Sequence, residues 1–146
     1  MSDSGKLEIA IVDDDPEMID MMTTLLTAEG HTVRSSVAGI PALSEIAADK
    51  PDCVLTDLMM SALDGMELCR EIRKRKSLNK TVIIMVSARD RDAWRERALA
   101  AGANDFISKP IDPASFAGQV EAIVAGVNEA GSAVADGGSG VPPVSL

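Results

Sequence analysis

Short apolar runs alternate with amphipathic helical patterns along most of this 146-residue chain. The apolar runs begin at Leu7, Thr32, Cys53, Thr81 and Asn104, and each precedes a stretch with apolar residues at helical spacing. Strands that alternate with helices form a parallel sheet covered on both faces, so this order limits the possible folds more than any other feature. It predicts an α/β fold in which five (βα) units form a doubly wound parallel sheet.

The composition suits a single acidic globular domain. The net charge is −9, the aromatic content is 2%, and the core must be built from aliphatic residues and eight methionines. A surface of this sign repels phosphate backbones, so direct binding of nucleic acid is not expected. No apolar run approaches the about 20 residues of a membrane span, and residues 1–6 lack the pattern of a signal peptide. We therefore expect a cytoplasmic protein with no membrane partner. Cys53 and Cys69 would then be reduced structural thiols. We expect His31 to lie in a surface turn.

The periodic part of the chain ends near Asn128. Asp112-Pro113 is typical of a helix start and opens the fifth helical pattern, which runs to about that residue. Beyond it, residues 129–146 hold four glycines, two prolines and three serines without a period. We expect residues 1–128 to form the domain and residues 129–146 a flexible tail or linker, too short for an output domain. The chain would then either act alone or be a fragment of a longer protein.

Reactive side chains follow four of the predicted strands. Asp13 and Asp14 come after the first strand, Asp57 after the third, Ser87 after the fourth and Lys109 after the fifth. In an open parallel sheet, ligands bind beyond the carboxyl ends of the strands, where the strand order reverses. We therefore expect carboxylates, a hydroxyl and an amine to converge at one edge of the sheet.

Physical chemistry narrows what such a group of side chains can do. Crowded carboxylates repel one another and at least one pKa rises, a penalty that a divalent cation such as Mg²⁺ removes. A carboxylate beside Mg²⁺ can attack phosphorus and form an aspartyl phosphate. Lys109 would neutralise the phosphoryl charge and Ser87 would donate a hydrogen bond to it. The group predicts a carboxylate that is phosphorylated reversibly in the presence of Mg²⁺.

Five segments at fitting spacings resemble the receiver domain of two-component response regulators, in its single-domain form. They are residues 11–16, 51–60, 64–68, 84–88 and 102–110, and the resemblance covers residues 6 to about 128. It implies a flavodoxin-like sheet with the strand order 2-1-3-4-5. By position, Asp57 matches the phosphoacceptor. Asp14 and Asp57 match direct Mg²⁺ ligands, Asp13 a ligand acting partly through water, and Met59 the residue whose carbonyl is a further ligand.

The resemblance also implies a switch. Ser87 matches the switch hydroxyl and Phe106 the aromatic switch position, which swings inward as the hydroxyl turns toward the phosphoryl group. Lys109 matches the family's lysine, and the bond from Lys109 to Pro110 is expected to be cis. Ser61 stands where the family often has proline, so the loop after the phosphoacceptor is expected to be looser.

Partners follow from the same resemblance. A histidine kinase or histidine phosphotransfer protein would donate the phosphoryl group, docking near Pro16, Met18 and Ile19 of the first helix. A downstream protein target would bind the face made by the fourth helix, fifth strand and fifth helix. Trp94, on the fourth helix, fits a core position and a partner contact equally well.

The sequence thus predicts a phosphorylation-activated signalling switch of a two-component or phosphorelay system. Such a protein is a self-phosphorylating acceptor with slow autodephosphorylation rather than a turnover enzyme. The alternative is a pseudo-receiver that only binds proteins, against which the intact acidic, hydroxyl and lysine positions argue. A Mg²⁺-dependent phosphohydrolase would carry an Asp-x-Asp motif, which Asp57-Leu58-Met59 lacks, and a flavin-binding electron carrier would need aromatic residues at the strand ends.

Overall fold

A computed structural model describes residues 5–60 and 62–137 of the chain. Within these residues, five strands alternate with five α-helices. The strands are β1 (Glu8–Val12), β2 (Thr32–Ser36), β3 (Cys53–Thr56), β4 (Val82–Ser87) and β5 (Asp105–Ser108). The helices are α1 (Pro16–Ala28), α2 (Gly39–Asp49), α3 (Gly65–Arg73), α4 (Arg91–Ala101) and α5 (Phe116–Gly137), with a short 3-10 turn at Lys76–Leu78.

The strands form one parallel sheet in the order β2-β1-β3-β4-β5. This confirms the predicted doubly wound fold and its strand order. The chain passes from β1 to β2 on one side and returns to β3 on the other, so the order reverses between β1 and β3. Val12 pairs with Thr56 at the carboxyl ends of these strands, so the residues that follow each strand meet at the reversal point.

Each face of the sheet carries its own buried apolar layer. One layer packs α1 and α5 against side chains such as Ile9, Ile11 and Leu55. The other packs α2, α3 and α4 against the alternate side chains, including Val54 and Ile83. All six residues of β4 are buried because this strand lies inside the sheet with helices on both faces.

Capping side chains fix the helices next to the acidic end of the sheet. Asp15 caps α1 by accepting a hydrogen bond of 3.0 Å from the Glu17 N–H, as expected of an acidic residue before Pro16. α3 begins with a capping box in which Asp64 and Glu67 each accept a hydrogen bond from the other's N–H. These caps hold the loops that lead away from β1 and β3.

The last helix is longer than the sequence indicates. α5 continues to Gly137, past Asn128, where the helical period fades. The reason is intrinsic propensity, since residues 129–137 include three alanines and no proline. Residues 138–146 of the expected tail lie outside the described residues, as does Ser61. In the described part of the chain, no helix has the length and apolar character that crossing a bilayer requires.

His31 is buried, which corrects the expected surface turn. The residue is 4% exposed, and its Nδ1 accepts a hydrogen bond of 3.0 Å from the Leu7 N–H. Nε2 lies 2.8 Å from a carboxylate oxygen of Glu121. Because Nδ1 is an acceptor, Nε2 carries the proton and donates to Glu121. The imidazole therefore ties the segment before β1 to α5. Cys53 and Cys69 are buried free thiols, as predicted.

Candidate functional site

Three carboxylates meet where the strand order reverses. Asp13 follows β1 and Asp57 follows β3, and Asp14 lies beside Asp13. One oxygen from each lies within 4.8 Å of the others, an arrangement that could hold a metal ion. Asp13 is fully buried, Asp57 is half-buried and Asp14 is exposed, so the cluster opens to solvent on one side.

Backbone hydrogen bonds set the orientation of the two inner carboxylates. The Asp57 N–H donates to the Val12 carbonyl at 2.9 Å, which continues the pairing of β1 with β3. Asp57 Oδ1 accepts a hydrogen bond of 2.8 Å from the Leu58 N–H, and Asp13 Oδ1 accepts one of 2.9 Å from the Asp15 N–H. In both residues, Oδ2 is the atom that points toward Lys109.

Lys109 brings one positive charge to these carboxylates. Its Nζ donates to Asp13 Oδ2 at 2.9 Å and lies 3.7 Å from Asp57 Oδ2. The backbone fixes this position, because the Lys109 N–H donates to the Ser87 carbonyl at 2.8 Å. The peptide bond from Lys109 to Pro110 is cis, as expected.

The pKa of Asp57 is raised by its surroundings. The largest cause is burial, which disfavours the charged form of the carboxyl group. Lys109 opposes this effect, while the charges of Asp13 and Asp14 add to it. The expectation that crowding raises a pKa is therefore confirmed for Asp57, although desolvation exceeds the repulsion between carboxylates. A bound cation would favour the charged form.

Ser87 and Phe106 occupy buried positions on neighbouring strands. Ser87 ends β4 and is 1% exposed, and its Oγ accepts a hydrogen bond of 3.0 Å from the Arg89 N–H. Phe106 lies in β5, opposite Met85, and packs into the core layer under α3 and α4. Ser87 thus lies beside Lys109, whereas the ring of Phe106 is turned inward, away from solvent.

Two further expected positions lie outside the acidic cluster. The side chain of Met59 is 44% exposed in the loop after Asp57, so only its backbone remains a candidate ligand. Trp94 is half-buried against the core layer, and the guanidinium of Arg97 lies 4.6 Å from its ring centroid. Trp94 therefore combines a core contact with a partly exposed face.

Sequence reasoning missed two residues that shape the Asp57 loop. A Cβ at Gly65 would collide with the Asp57 carbonyl oxygen, so only glycine fits there. The Gly65 N–H also donates to the Leu58 carbonyl at 3.0 Å. Thr56 is fully buried and its hydroxyl donates to the Asp57 carbonyl at 3.0 Å. The Asp64-Gly65 pair was noted as a helix start and as part of the segment 64–68, but its contact with the Asp57 loop was not predicted, and nothing in the sequence pattern singles out Thr56.

Comparison with known families and proteins gives a consistent result. The family model of the response regulator receiver domain matches residues 9–121. Response regulator MprA of Mycobacterium ulcerans (strain Agy99) is 38% identical over 104 residues, which are 71% of this chain and 44% of that protein. The chain therefore spans less than half the length of this curated relative.

Solved structures match over most of the chain. The BeF3-activated N-terminal receiver domain of Klebsiella pneumoniae RstA superposes with a TM-score of 0.73 at 32% identity, covering 80% of this chain and 97% of that one. The receiver domain of the sensor histidine kinase PA1611 from Pseudomonas aeruginosa PAO1 gives a TM-score of 0.74 at 28% identity, covering 82% and 98%. In that structure a magnesium ion is coordinated in the active-site cleft.

Proposed function

The chain belongs to the response regulator receiver domain family, and from this premise we propose that it is a phosphorylation-activated switch in a two-component or phosphorelay system. One observation carries the proposal. Asp57 belongs to a cluster of three carboxylates, and within the described residues the amine of Lys109, 3.7 Å from Asp57 Oδ2, is the one positive group paired with them. Anionic oxygens short of positive charge suit a site that takes up a cation and a phosphoryl group.

Asp57 is the proposed phosphoacceptor, with Oδ2 as its nucleophilic atom. Among the described residues, Oδ1 is engaged by the Leu58 N–H, whereas Oδ2 has only the more distant contact with Lys109. In the transfer, Oδ2 forms the new bond to phosphorus. The bond between phosphorus and the histidine nitrogen of the donor breaks, and its electron pair stays on that nitrogen.

Mg²⁺ is the proposed cofactor. Asp14 and Asp57 would bind it directly, Asp13 partly through water, and the Met59 carbonyl would be a further ligand. The three oxygens within 4.8 Å and the raised pKa of Asp57 support the fit, because a cation relieves crowded carboxylates. The magnesium ion in the PA1611 receiver domain supports the same choice. When bound, Mg²⁺ would neutralise charge on the phosphoryl oxygens.

Lys109 and Ser87 are the proposed groups that respond to the phosphoryl group. The amine of Lys109 pairs with Asp13 at 2.9 Å, and a doubly charged phosphoryl group on Asp57 Oδ2 would compete for it. The Ser87 hydroxyl accepts from the Arg89 N–H, so its own proton remains free to donate to a phosphoryl oxygen.

A change at Ser87 would be transmitted to the start of α4. Turning the hydroxyl toward the phosphoryl group would change its bond to the Arg89 N–H, one residue before the α4 cap Asp90. The start of α4 would then move relative to β5, where Phe106 is already buried. We propose that this shifts the population of two arrangements of the face formed by α4, β5 and α5.

The proposal includes partners and domain organisation. A histidine kinase or histidine phosphotransfer protein would supply the phosphoryl group near Pro16, Met18 and Ile19, and a protein target would bind the face formed by α4, β5 and α5. The receiver domain would be followed by a linker, within which α5 persists to Gly137. The cytoplasmic location expected from the sequence belongs to this proposal.

The test is phosphorylation with a small donor. The protein is incubated with acetyl phosphate and Mg²⁺, and the intact mass is measured over time. We expect one phosphoryl adduct that requires Mg²⁺ and is lost in Asp57→Asn. Asp52→Asn is the matched control, because Asp52 is an exposed carboxylate outside the cluster. An adduct that persists in Asp57→Asn, or no adduct in the unmodified protein, would contradict the proposal and favour a pseudo-receiver.

A further inference from the structure

Positive charge is concentrated in one part of this acidic chain. Residues 70–97 contain ten lysines or arginines and four acidic residues, a net charge of +6, so the rest of the chain carries −15. This segment covers the end of α3, the turn at Lys76–Leu78, β4 and most of α4. Some of these cations already face carboxylates or carbonyls of the same chain, and others do not.

Several of these cations have structural partners. Arg73 donates to the carbonyls of Gly102 and Leu78, and Lys74 pairs with Glu71. On the other side of α4, Arg91 and Arg95 both lie near the Asp105 carboxylate. Lys74, Arg91 and Arg95 therefore face carboxylates, whereas Arg73 keeps its charge but is half-buried and held by backbone carbonyls.

Arg70 and Arg97 are different. Neither lies within 4.0 Å of a carboxylate in the described part of the chain, and both are exposed. Both line a groove of about 420 Å³ between α3 and α4. Asp64, the acidic residue of this groove, accepts the Glu67 N–H as the α3 cap. The groove therefore presents two guanidinium groups and one carboxylate, and neither guanidinium is in an ion pair within the described residues.

The floor of the same groove is apolar. Met66 and Trp94 line it and are half-buried against the core layer beneath. Arg97 lies over the Trp94 ring at 4.6 Å, which restricts both side chains. A half-buried aromatic ring flanked by arginines matches the residue types that dominate protein interfaces.

We propose that this α3–α4 groove binds an acidic peptide segment of a partner protein. Its carboxylates would pair with Arg70 and Arg97, which suit bidentate contacts, and an apolar side chain would pack on Trp94 and Met66. The site is separate from the face formed by α4, β5 and α5, since Arg91 and Arg95 mark that other side of α4. A peptide fits better than a nucleic acid, because the −15 of the remaining chain repels an extended polyanion.

Trp94 supplies the readout, because it is the only tryptophan. The full chain is titrated with a synthetic peptide of glutamate pairs separated by leucines, and the fluorescence of Trp94 is followed. We expect a saturable change that weakens as salt is added. A lysine-for-glutamate version of the peptide and an oligo(dT) strand are titrated in the same way, and neither should saturate. A missing response to the acidic peptide, or tighter binding of oligo(dT), would overturn the proposal.

Matched variants locate the site. The double variant Arg70→Gln and Arg97→Gln should bind the acidic peptide at least tenfold more weakly. Arg34→Gln, an exposed change in β2, should bind as the unmodified protein does. An equal loss in Arg34→Gln would show that peptide binding depends only on the net charge of the protein, and it would overturn the assignment to this groove. Asp57→Asn should bind the acidic peptide as the unmodified protein does, so a failure of the phosphorylation test would not affect this result.

Discussion

Two polar clusters, at opposite ends of β1, differ in how completely their charges and hydrogen bonds are satisfied. Before β1, His31 has one partner on each ring nitrogen, the Leu7 N–H and the Glu121 carboxylate. After β1, one amine, that of Lys109, serves the carboxylates of Asp13 and Asp57, with Asp14 in the same cluster. Both join residues 90 or more positions apart in the sequence. We call the first the saturated cluster and the second, for the chemistry that we propose there, the reactive cluster.

The largest expected effect tests the reactive cluster. Asp57→Asn should remove all labelling by acetyl phosphate, because the carboxamide that replaces the carboxylate is not a nucleophile toward phosphorus. His31→Ala, at the other end of β1, should keep labelling at the level of the unmodified protein. Intact mass measures both. If His31→Ala also abolished labelling while folded, the distinction between the two clusters would fail.

A second prediction concerns Lys109→Met. The change leaves the Asp13 carboxylate, which is almost fully buried, without its ion-pair partner. Removing one partner of a buried pair should lower the free energy of unfolding by about 3 kcal/mol. Urea denaturation in the absence of Mg²⁺ measures this, and adding Mg²⁺ should restore part of the loss. Lys50→Met, at an exposed lysine, is the control and should change stability little.

A third prediction concerns the saturated cluster. His31→Ala should lower the free energy of unfolding by about 2 kcal/mol, because a buried imidazole and two hydrogen bonds are lost. Mg²⁺ should not restore any of this loss, in contrast to Lys109→Met. Glu121→Gln should cost less, about 1 kcal/mol, because the amide oxygen can still accept from Nε2. A rescue of His31→Ala by Mg²⁺ would show that the clusters are coupled.

The smallest effect has the opposite sign. Asp57→Asn should raise the free energy of unfolding at pH 7 without Mg²⁺ by about 1 kcal/mol, because it removes a partly buried charge. Substitutions at functional sites often stabilise a protein in this way. Burial raises the pKa of Asp57, so the folded state loses stability as the pH rises from the unfolded value through the folded pKa. Below the unfolded value, near pH 3.8, the carboxyl group is protonated in both states and the gain should vanish. Paired melts at the two pH values measure the difference, and a pH-independent gain would point to another cause.

The sequence predicted the reactive cluster better than the saturated one for a physical reason. Asp13, Asp57, Ser87 and Lys109 each follow a strand, and parallel strands bring their carboxyl ends to one edge. No comparable rule applies to His31, whose partners lie 24 and 90 residues away and depend on how α5 packs. The same limit applies to Thr56, whose hydroxyl contact arises from the shape of one loop.

Helix boundaries show the same division between local and non-local information. The starts of α1 and α3 were predictable, since Asp15 and Asp64 are caps that act on their own neighbours. The end of α5 was not, because the glycines, prolines and serines of residues 129–146 suggested a linker, while the three alanines of residues 129–137 favour helix. The alternation of apolar runs with helical patterns was enough to predict the sheet, because the central strands β3 and β4 are buried on both faces.

The length of α5 has an angular consequence. Because the helix is continuous from Phe116 to Gly137, each residue sets a rotation of about 100° and a rise of about 1.5 Å for whatever is attached after it. Deleting one residue between Asn128 and Gly137 would therefore turn an attached element through more than a quarter of a circle while barely shortening the connection. Proteins fused at successive positions along this stretch would therefore differ widely in orientation relative to the sheet while lying at nearly the same distance from it.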